Sequence, residues 1–346
     1  MFGANEIVGK RYFKDADAQQ MFVTSMFMTL QGEGPYRGEP AFFIRLAKCN
    51  LACSFCDTFF DDGDWLTFDQ IEQRVEETID QFYAGKGRAR PEWTYHDPIS
   101  KQNQKLLDNL DLLPVGTTFT NIFKDDVVAP ENKIGMKTDI DDAARWQIIK
   151  RKKMVLVMTG GEPMLQDNIG PFLERMSQIF EKTQIESNGT QNTAIPASTT
   201  LVISPKCAEK KDPITGKMVA TKYLTPRKEV LERADCLKFV MEATEGSPYA
   251  EVPEWAHEWK RVFNKPIFVS PMNEYNDLPQ KSKQKRAESN QISIEERSTV
   301  DEVISFWEPG LLNMQENQKN HEYAAMYCVE NGFILNLQIH LYASLA

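Results

Sequence analysis

The sequence predicts an α/β fold on a mostly parallel sheet, open or closed, in one domain with insertions. Short apolar runs alternate with stretches of helical periodicity, the pattern of successive βα units. Several of those runs end in turns rich in Gly, Ser, Asn or Pro, and 346 residues suffice to bury a full core.

Residues 22–30 (FVTSMFMTL) form the first expected strand, which leads into the glycine-rich turn QGEG at 31–34 and a second strand at 41–47 (AFFIRLA). Beyond the loop that follows, Phe68, Ile71, Val75, Ile79 and Phe82 recur at helical spacing, and Thr67 with Gln70 makes a capping box. The irregular text of 84–138 is read as an insertion. Alternation resumes with a helix at 140–152, a strand at 154–158 (MVLVM), a helix at 170–182 and a strand at 183–186 (TQIE). Strands at 200–203 (TLVI), 237–240 (LKFV) and 266–269 (PIFV) follow, with helical patterns at 226–234 and 253–262 between them. An extended C-terminal region, 273–330, begins with a solvated polar loop to 298 and becomes helical before a last strand at 333–342 (FILNLQIHLY). The core is thus expected over about 22–83 and 139–272 plus 333–342.

A net charge of -10 and a pI near 5.1 argue against nucleic acid as a direct partner. No apolar run reaches the length of a membrane span, and the first twenty residues lack the apolar core of a signal peptide, so a cytoplasmic protein without membrane contact is expected. Of six cysteines, three fall within eight residues, which suggests metal in a reducing compartment.

Those three, Cys49, Cys53 and Cys56, follow the second strand with the spacing C-x3-C-x2-C. A structural zinc site needs a fourth Cys or His nearby, and the closest histidine in sequence is the distant His96. Three thiolates instead suit a cuboidal iron-sulfur cluster with one iron left open to a ligand. Each remaining special sequence also sits directly after a strand: Thr159, Gly160, Gly161, Glu162 and Pro163 after MVLVM; Ser187, Asn188, Gly189 and Thr190 after TQIE; Ser204, Pro205 and Lys206 after TLVI. Parallel strands end on one edge, where ligand sites are built, so these segments should converge. Their chemistry suits a zwitterionic nucleoside cofactor: the glycines permit close approach, Glu162 can accept from an ammonium, and Ser187, Asn188 and Ser204 can bind ribose or carboxylate.

The run LQGEGPYRGEPAFFIRLAKCNLACSFCDT, with TGGEP, SNGT and SPK after it, resembles the 7-carboxy-7-deazaguanine synthases of the radical S-adenosylmethionine (SAM) superfamily. The resemblance spans roughly 22–60 and 154–272 and implies an incomplete (β/α) barrel, often a homodimer, fed by a flavodoxin-like reductant. It implies a magnesium-dependent lyase of queuosine-type biosynthesis that contracts 6-carboxy-5,6,7,8-tetrahydropterin to 7-carboxy-7-deazaguanine with loss of ammonia. In that chemistry a [4Fe-4S] cluster on Cys49, Cys53 and Cys56 reduces SAM to start hydrogen abstraction. Matched positions imply magnesium at Thr58, substrate contacts at Leu30, Gln31, Gly32, Arg45 and Thr159, and SAM contacts at Gly161, Glu162, Ser187, Asn188, Ser204 and Lys206 with backbone from Phe55 and Asp57. Arg45 suits a carboxylate through its planar fork, the alternative being a surface ion pair. Glu33 either acts in the substrate loop or shapes it.

The chain departs from the family in its 84–138 insertion, in its C-terminal region and at Leu341, which follows Gln338 and His340 where the pattern has Lys. A structural role is therefore expected for His340, and buried free thiols for Cys207, Cys236 and Cys328. A radical SAM enzyme that activates a glycyl-radical partner, and a non-catalytic iron-sulfur protein, are the competing readings; the LQGEG loop and Thr58 disfavour the first, and TGGEP and SNGT the second.

Overall fold

Along the first described strands, apolar residues occupy both faces. β1 (Gln20–Leu30) is buried along its middle and pairs antiparallel with β2 (Pro40–Leu46) and with β3 (Asp64–Thr67), a strand the sequence did not announce. The computed structural model describes residues 7–13, 17, 19–56, 60–83, 154–214, 218–276 and 312–343. The expected insertion, the helix at 140–152 and the polar loop's residues 277–298 lie outside them. After β2 the strands run parallel: β4 (Val155–Gly160), β5 (Lys182–Ser187), β6 (Thr200–Ile203), β9 (Cys236–Met241), β10 (Ile267–Pro271) and β11 (Ile334–Leu335). Together they form a nine-stranded sheet in the order β11-β10-β9-β6-β5-β4-β2-β1-β3. A separate hairpin joins β7 (Cys207–Lys211) to β8 (Met218–Tyr223).

The two faces of the sheet differ because residues alternate along each strand. Phe42, Ile44, Leu156, Met158, Ile185, Leu237, Phe239 and Val269 are fully buried. On this face Phe42 meets Phe180 and Phe239 meets Trp255, the latter on α4 (Glu254–Phe263), while Phe68 of α1 (Phe68–Tyr83) meets Phe172 of α2 (Ile169–Met176). The opposite face carries Phe43 and Arg45 of β2, Gln184 and Glu186 of β5, Lys238 of β9 and Ser270 of β10, so it is polar toward the strand ends. A short helix, α3 (Lys228–Arg233), precedes β9.

α1 begins where the capping box places it. Gln70 N–H donates to Thr67 Oγ at 3.2 Å and Thr67 N–H donates to Gln70 Oε1 at 2.8 Å. Ile71, Val75 and Ile79 form its buried stripe. A long helix, α5 (Met314–Asn331), contributes amides to the core: buried Asn317 and Asn320 bond the backbone of Glu274, Met272 and Ala243.

Two expectations are corrected. The helix expected to reach 182 ends at Met176, since its last turn closes through Ser177 and Phe180 is tucked in beyond it. The strand expected at 333–342 is only Ile334–Leu335; Asn336 turns inward, and Ile339–Ala343 coil into a short helix, α6. Beyond Leu335 one further bond to β10 forms, from Asn336 N–H to the Val269 carbonyl at 2.8 Å, before the chain coils. Asn336 also ties β10 to the turn after β1. It accepts from Gly34 N–H at 2.9 Å and donates to Ser270 Oγ at 2.7 Å, while Arg37 donates to the Leu335 carbonyl at 2.7 Å.

Replacing Thr67 with Ala removes one half of the reciprocal cap and is expected to cost about 1 kcal/mol. A lowered thermal midpoint checks this, and an unchanged one rejects the cap's contribution.

Candidate active site

The parallel strands end around one cavity of about 250 Å3, which all three clustered cysteines line. The base of their loop is fixed by β4. Gly161 N–H donates to the Leu46 carbonyl and Glu162 N–H to the Lys48 carbonyl, each at 2.9 Å. That approach leaves no room for a side chain: a Cβ on Gly161 would lie 1.8 Å from the Lys48 oxygen, and Gly160 has φ +122°. Lys48 itself adopts φ 71° as the chain turns into Cys49.

Behind the wall stands Glu162, 1% exposed and absent from the lining. Its Oε1 accepts from Met164 N–H at 3.0 Å and Ser187 Oγ at 2.8 Å, and its Oε2 from Asn188 N–H at 2.7 Å. Burial raises the Glu162 pKa, and these three donors pull against that rise. The carboxylate therefore holds the turn after β4 to the turn after β5. Asn188 extends the connection: its side chain donates to Asn50 Oδ1 at 3.0 Å and accepts from Thr190, so the Ser-Asn-Gly-Thr turn grips the cysteine loop. Ser204 accepts from the half-buried Lys206 Nζ at 2.5 Å, and desolvation lowers the Lys206 pKa.

Of the expected SAM set, Phe55, Gly161, Ser187, Asn188, Ser204 and Lys206 line the cavity. Of the expected substrate set, Leu30, Gln31, Arg45 and Thr159 do. Gly32 does not; the His340 ring covers it, and a Cβ there would meet the ring nitrogen at 2.0 Å. Asp57 and Thr58 lie outside the described residues. The Arg45 guanidinium lies 5.0 Å from the centre of the Phe27 ring and forms no ion pair among the described residues.

Deeper in the cavity lies a group the sequence reading missed. Lys238 Nζ, 5% exposed as a residue, contacts Glu33 Oε2 and Glu186 Oε2 at 2.7 Å each. Glu186 also accepts from Gln31 at 3.2 Å and Gln184 at 3.0 Å, and Glu33 from Ser270 at 3.0 Å. Burial pulls the Lys238 pKa down, but the two carboxylates outweigh it and hold the ammonium above the ordinary lysine range. Burial likewise raises Glu33, and Lys238 reverses the shift to a net lowering. A signal was present: Lys238 lies inside an otherwise apolar strand, CLKFVM.

Three thiols on one loop, all lining the cavity, are the donor chemistry of an iron-sulfur cluster. Burial, reinforced by Glu162, pushes the Cys49 thiol up to about 12, and burial pushes Cys53 up to about 11, so thiolates here need a cationic occupant. Among the described residues no three His, Cys, Asp or Glu side chains gather as ligands of one ion. Cys207, Cys236 and Cys328 are buried and free, as expected.

Fold and site define an α/β protein with a thiol-lined small-molecule cavity at its strand ends. No family model matches the chain. It is similar to the 7-carboxy-7-deazaguanine synthase of Rickettsia prowazekii, with 27% identity over 85% of this chain and 87% of the relative. It is also similar to that of Rhodospirillum rubrum, with 25% identity over 80% and 83%. A solved structure titled as QueE from Escherichia coli aligns over 96% of this chain and 99% of its own, at 16% identity and a TM-score of 0.44. No helix among the described residues is long and apolar enough to cross a membrane.

Two substitutions test this geometry. Gly161→Ala drives a methyl group into the Lys48 carbonyl, and a loss of roughly 3 kcal/mol together with reduced iron uptake is expected; normal loading would show that the loop base can yield. Lys238→Met leaves two buried carboxylates without their cation and is expected to cost about 3–5 kcal/mol at neutral pH. Because Glu33 has a lowered pKa, its stabilising contribution is present above the ordinary carboxylate range and lost as pH falls through its folded value. The stability gap between parent and variant in urea should therefore narrow in acid; a gap independent of pH would contradict the pairing.

Proposed function

We propose that the chain is a radical SAM lyase, a 7-carboxy-7-deazaguanine synthase that contracts 6-carboxy-5,6,7,8-tetrahydropterin with loss of ammonia. The observation that carries this reading is that the C-x3-C-x2-C thiols share one cavity with Arg45, Thr159 and the Leu30–Gln31 segment. Similarity to synthases of that name over at least four-fifths of the chain supports it.

In this reading Cys49, Cys53 and Cys56 hold a [4Fe-4S] cluster, which when bound supplies an electron to SAM and so the radical chemistry. The chain's own residues do the positioning. Gly161 admits the cofactor close to the backbone, while Ser187, Asn188, Ser204 and Lys206 hold its polar groups beside Phe55 and Asp57. Glu162 acts from behind, through Ser187 and Asn188, and can reach a bound ammonium only if the turn rearranges. Arg45 binds the pterin carboxylate through two parallel hydrogen bonds, with Leu30, Gln31 and Thr159 around the ring. Thr58 would offer its hydroxyl to Mg2+, as a hard oxygen ligand of the kind that ion takes. The domain is an incomplete barrel carrying the 84–138 segment as an insertion, and Asn336 with Arg37 bridges its open side. Homodimerisation, a flavodoxin-like electron donor and a cytoplasmic setting belong to the same proposal.

The test is anaerobic reconstitution with iron and sulfide, then assay with SAM, Mg2+, a reductant and the carboxytetrahydropterin. Turnover is expected from the parent and from Cys328→Ala. Cys53→Ala should lose most of its iron and all turnover, and full iron with full activity in Cys53→Ala would sink the assignment.

A further inference from the structure

The hairpin β7–β8 takes no part in the nine-stranded sheet, yet it starts at the residue after Lys206 and reaches the cysteine loop. The contact is made by Glu209. Ser54 N–H donates to both of its carboxylate oxygens at 2.9 Å, and Ser54 Oγ donates to Oε1 at 3.1 Å. Ser54 directly follows Cys53, so an anion from a distant part of the chain captures the amide next to a thiol.

Two further features point the same way. The pairing of β7 with β8 shifts register between Ala208 and Glu209, and such bulges serve to re-aim a side chain. The hairpin's root is also keyed to the loop through Tyr249, which is 1% exposed. Its hydroxyl accepts from Cys207 N–H at 2.9 Å and its ring meets Phe55 edge-on at 5.1 Å. The loop is thereby held at Ser54 and at Phe55 by one substructure.

The charge has a consequence beyond geometry. Hydrogen bonds to cluster sulfur and the net charge nearby set a cluster's reduction potential. Here the Ser54 amide, one residue past Cys53, is engaged at 2.9 Å by both carboxylate oxygens of Glu209. We propose that Glu209 is a positioning residue of the cluster loop, which fixes the Ser54 segment around the bound cluster and keeps a negative charge beside Cys53 that lowers the cluster's potential. This rests on the reading that the three cysteines hold a cluster.

The experiment compares the anaerobically reconstituted parent with Glu209→Gln and Glu209→Ala, in the full chain without substrate. One-electron reduction of the cluster by dithionite at controlled potential is followed by electron paramagnetic resonance, and iron release to a chelator is timed. Glu209→Gln can still accept from Ser54 but lacks the charge; it should keep full iron and shift the potential to a more positive value. Glu209→Ala loses charge-assisted hydrogen bonds and should release iron on the order of tenfold faster. A loaded Glu209→Gln protein whose potential equals the parent's overturns the proposal alone, whatever happens to Glu209→Ala. A parent that binds no iron through the three cysteines overturns the underlying reading and the proposal with it.

Discussion

The approach of the Gly161 backbone to the Lys48 carbonyl is the constraint on which the cavity depends. Through it the end of β4 continues its pairing with the chain leaving β2, and the cysteine loop starts at a fixed place above the sheet. A Cβ cannot be accommodated there, so two adjacent glycines are a steric requirement. From the same turn Glu162 reaches back to Ser187 and Asn188, and Asn188 in turn holds Asn50. A buried carboxylate needs several donors to be tolerated, and Met164 of its own turn with Ser187 and Asn188 of the next supply them. The rim is thus one hydrogen-bonded unit rather than separate loops that happen to meet.

Below the rim, the cavity is organised by charge. Lys238 sits between Glu33 and Glu186, and each carboxylate is further bonded to neutral donors. Buried ion pairs contribute little net stability, but separating their members is costly, so they specify one arrangement of the elements that carry them. Here those elements are the loop after β1 and strands β5 and β9, to which Asn336 adds β10 and the turn after β11. The LQGEG turn is fastened on its inner side, which places Gln31 and Glu33 in the cavity and leaves Gly32 under His340.

The cysteine loop is therefore supported on two sides. One is the sheet edge, through Lys48 and Asn50; the other is the β7–β8 hairpin, through Glu209, together with Tyr249 of the segment after β9, whose ring meets Phe55 of the loop. The first holds the backbone where the thiols begin, and the second brings both a clamp and a charge to the middle thiol. In the proposed enzyme the same loop would have to bind a cluster and keep one side open to SAM, and support from two sides serves both needs.

Residue type and spacing by themselves determined the alternation of strands and helices, the capping box at Thr67 and Gln70, the cysteine motif and the turns that follow β4, β5 and β6. These are local: a turn residue, a 3.6-residue period or a C-x3-C-x2-C loop carries its physics in neighbouring positions. Only the tertiary structure decided that Glu162 lies behind the cavity wall, that Glu33 and Glu186 share Lys238, that Glu209 holds Ser54, and that 333–342 stops being a strand at Leu335. Each depends on which distant group meets a charge or an unpaired backbone amide. Glu33 lies 205 positions from Lys238, and Ser54 lies 155 from Glu209. A buried charge is tolerated only where its partners converge, and that convergence is a property of the folded sheet, not of any stretch of chain.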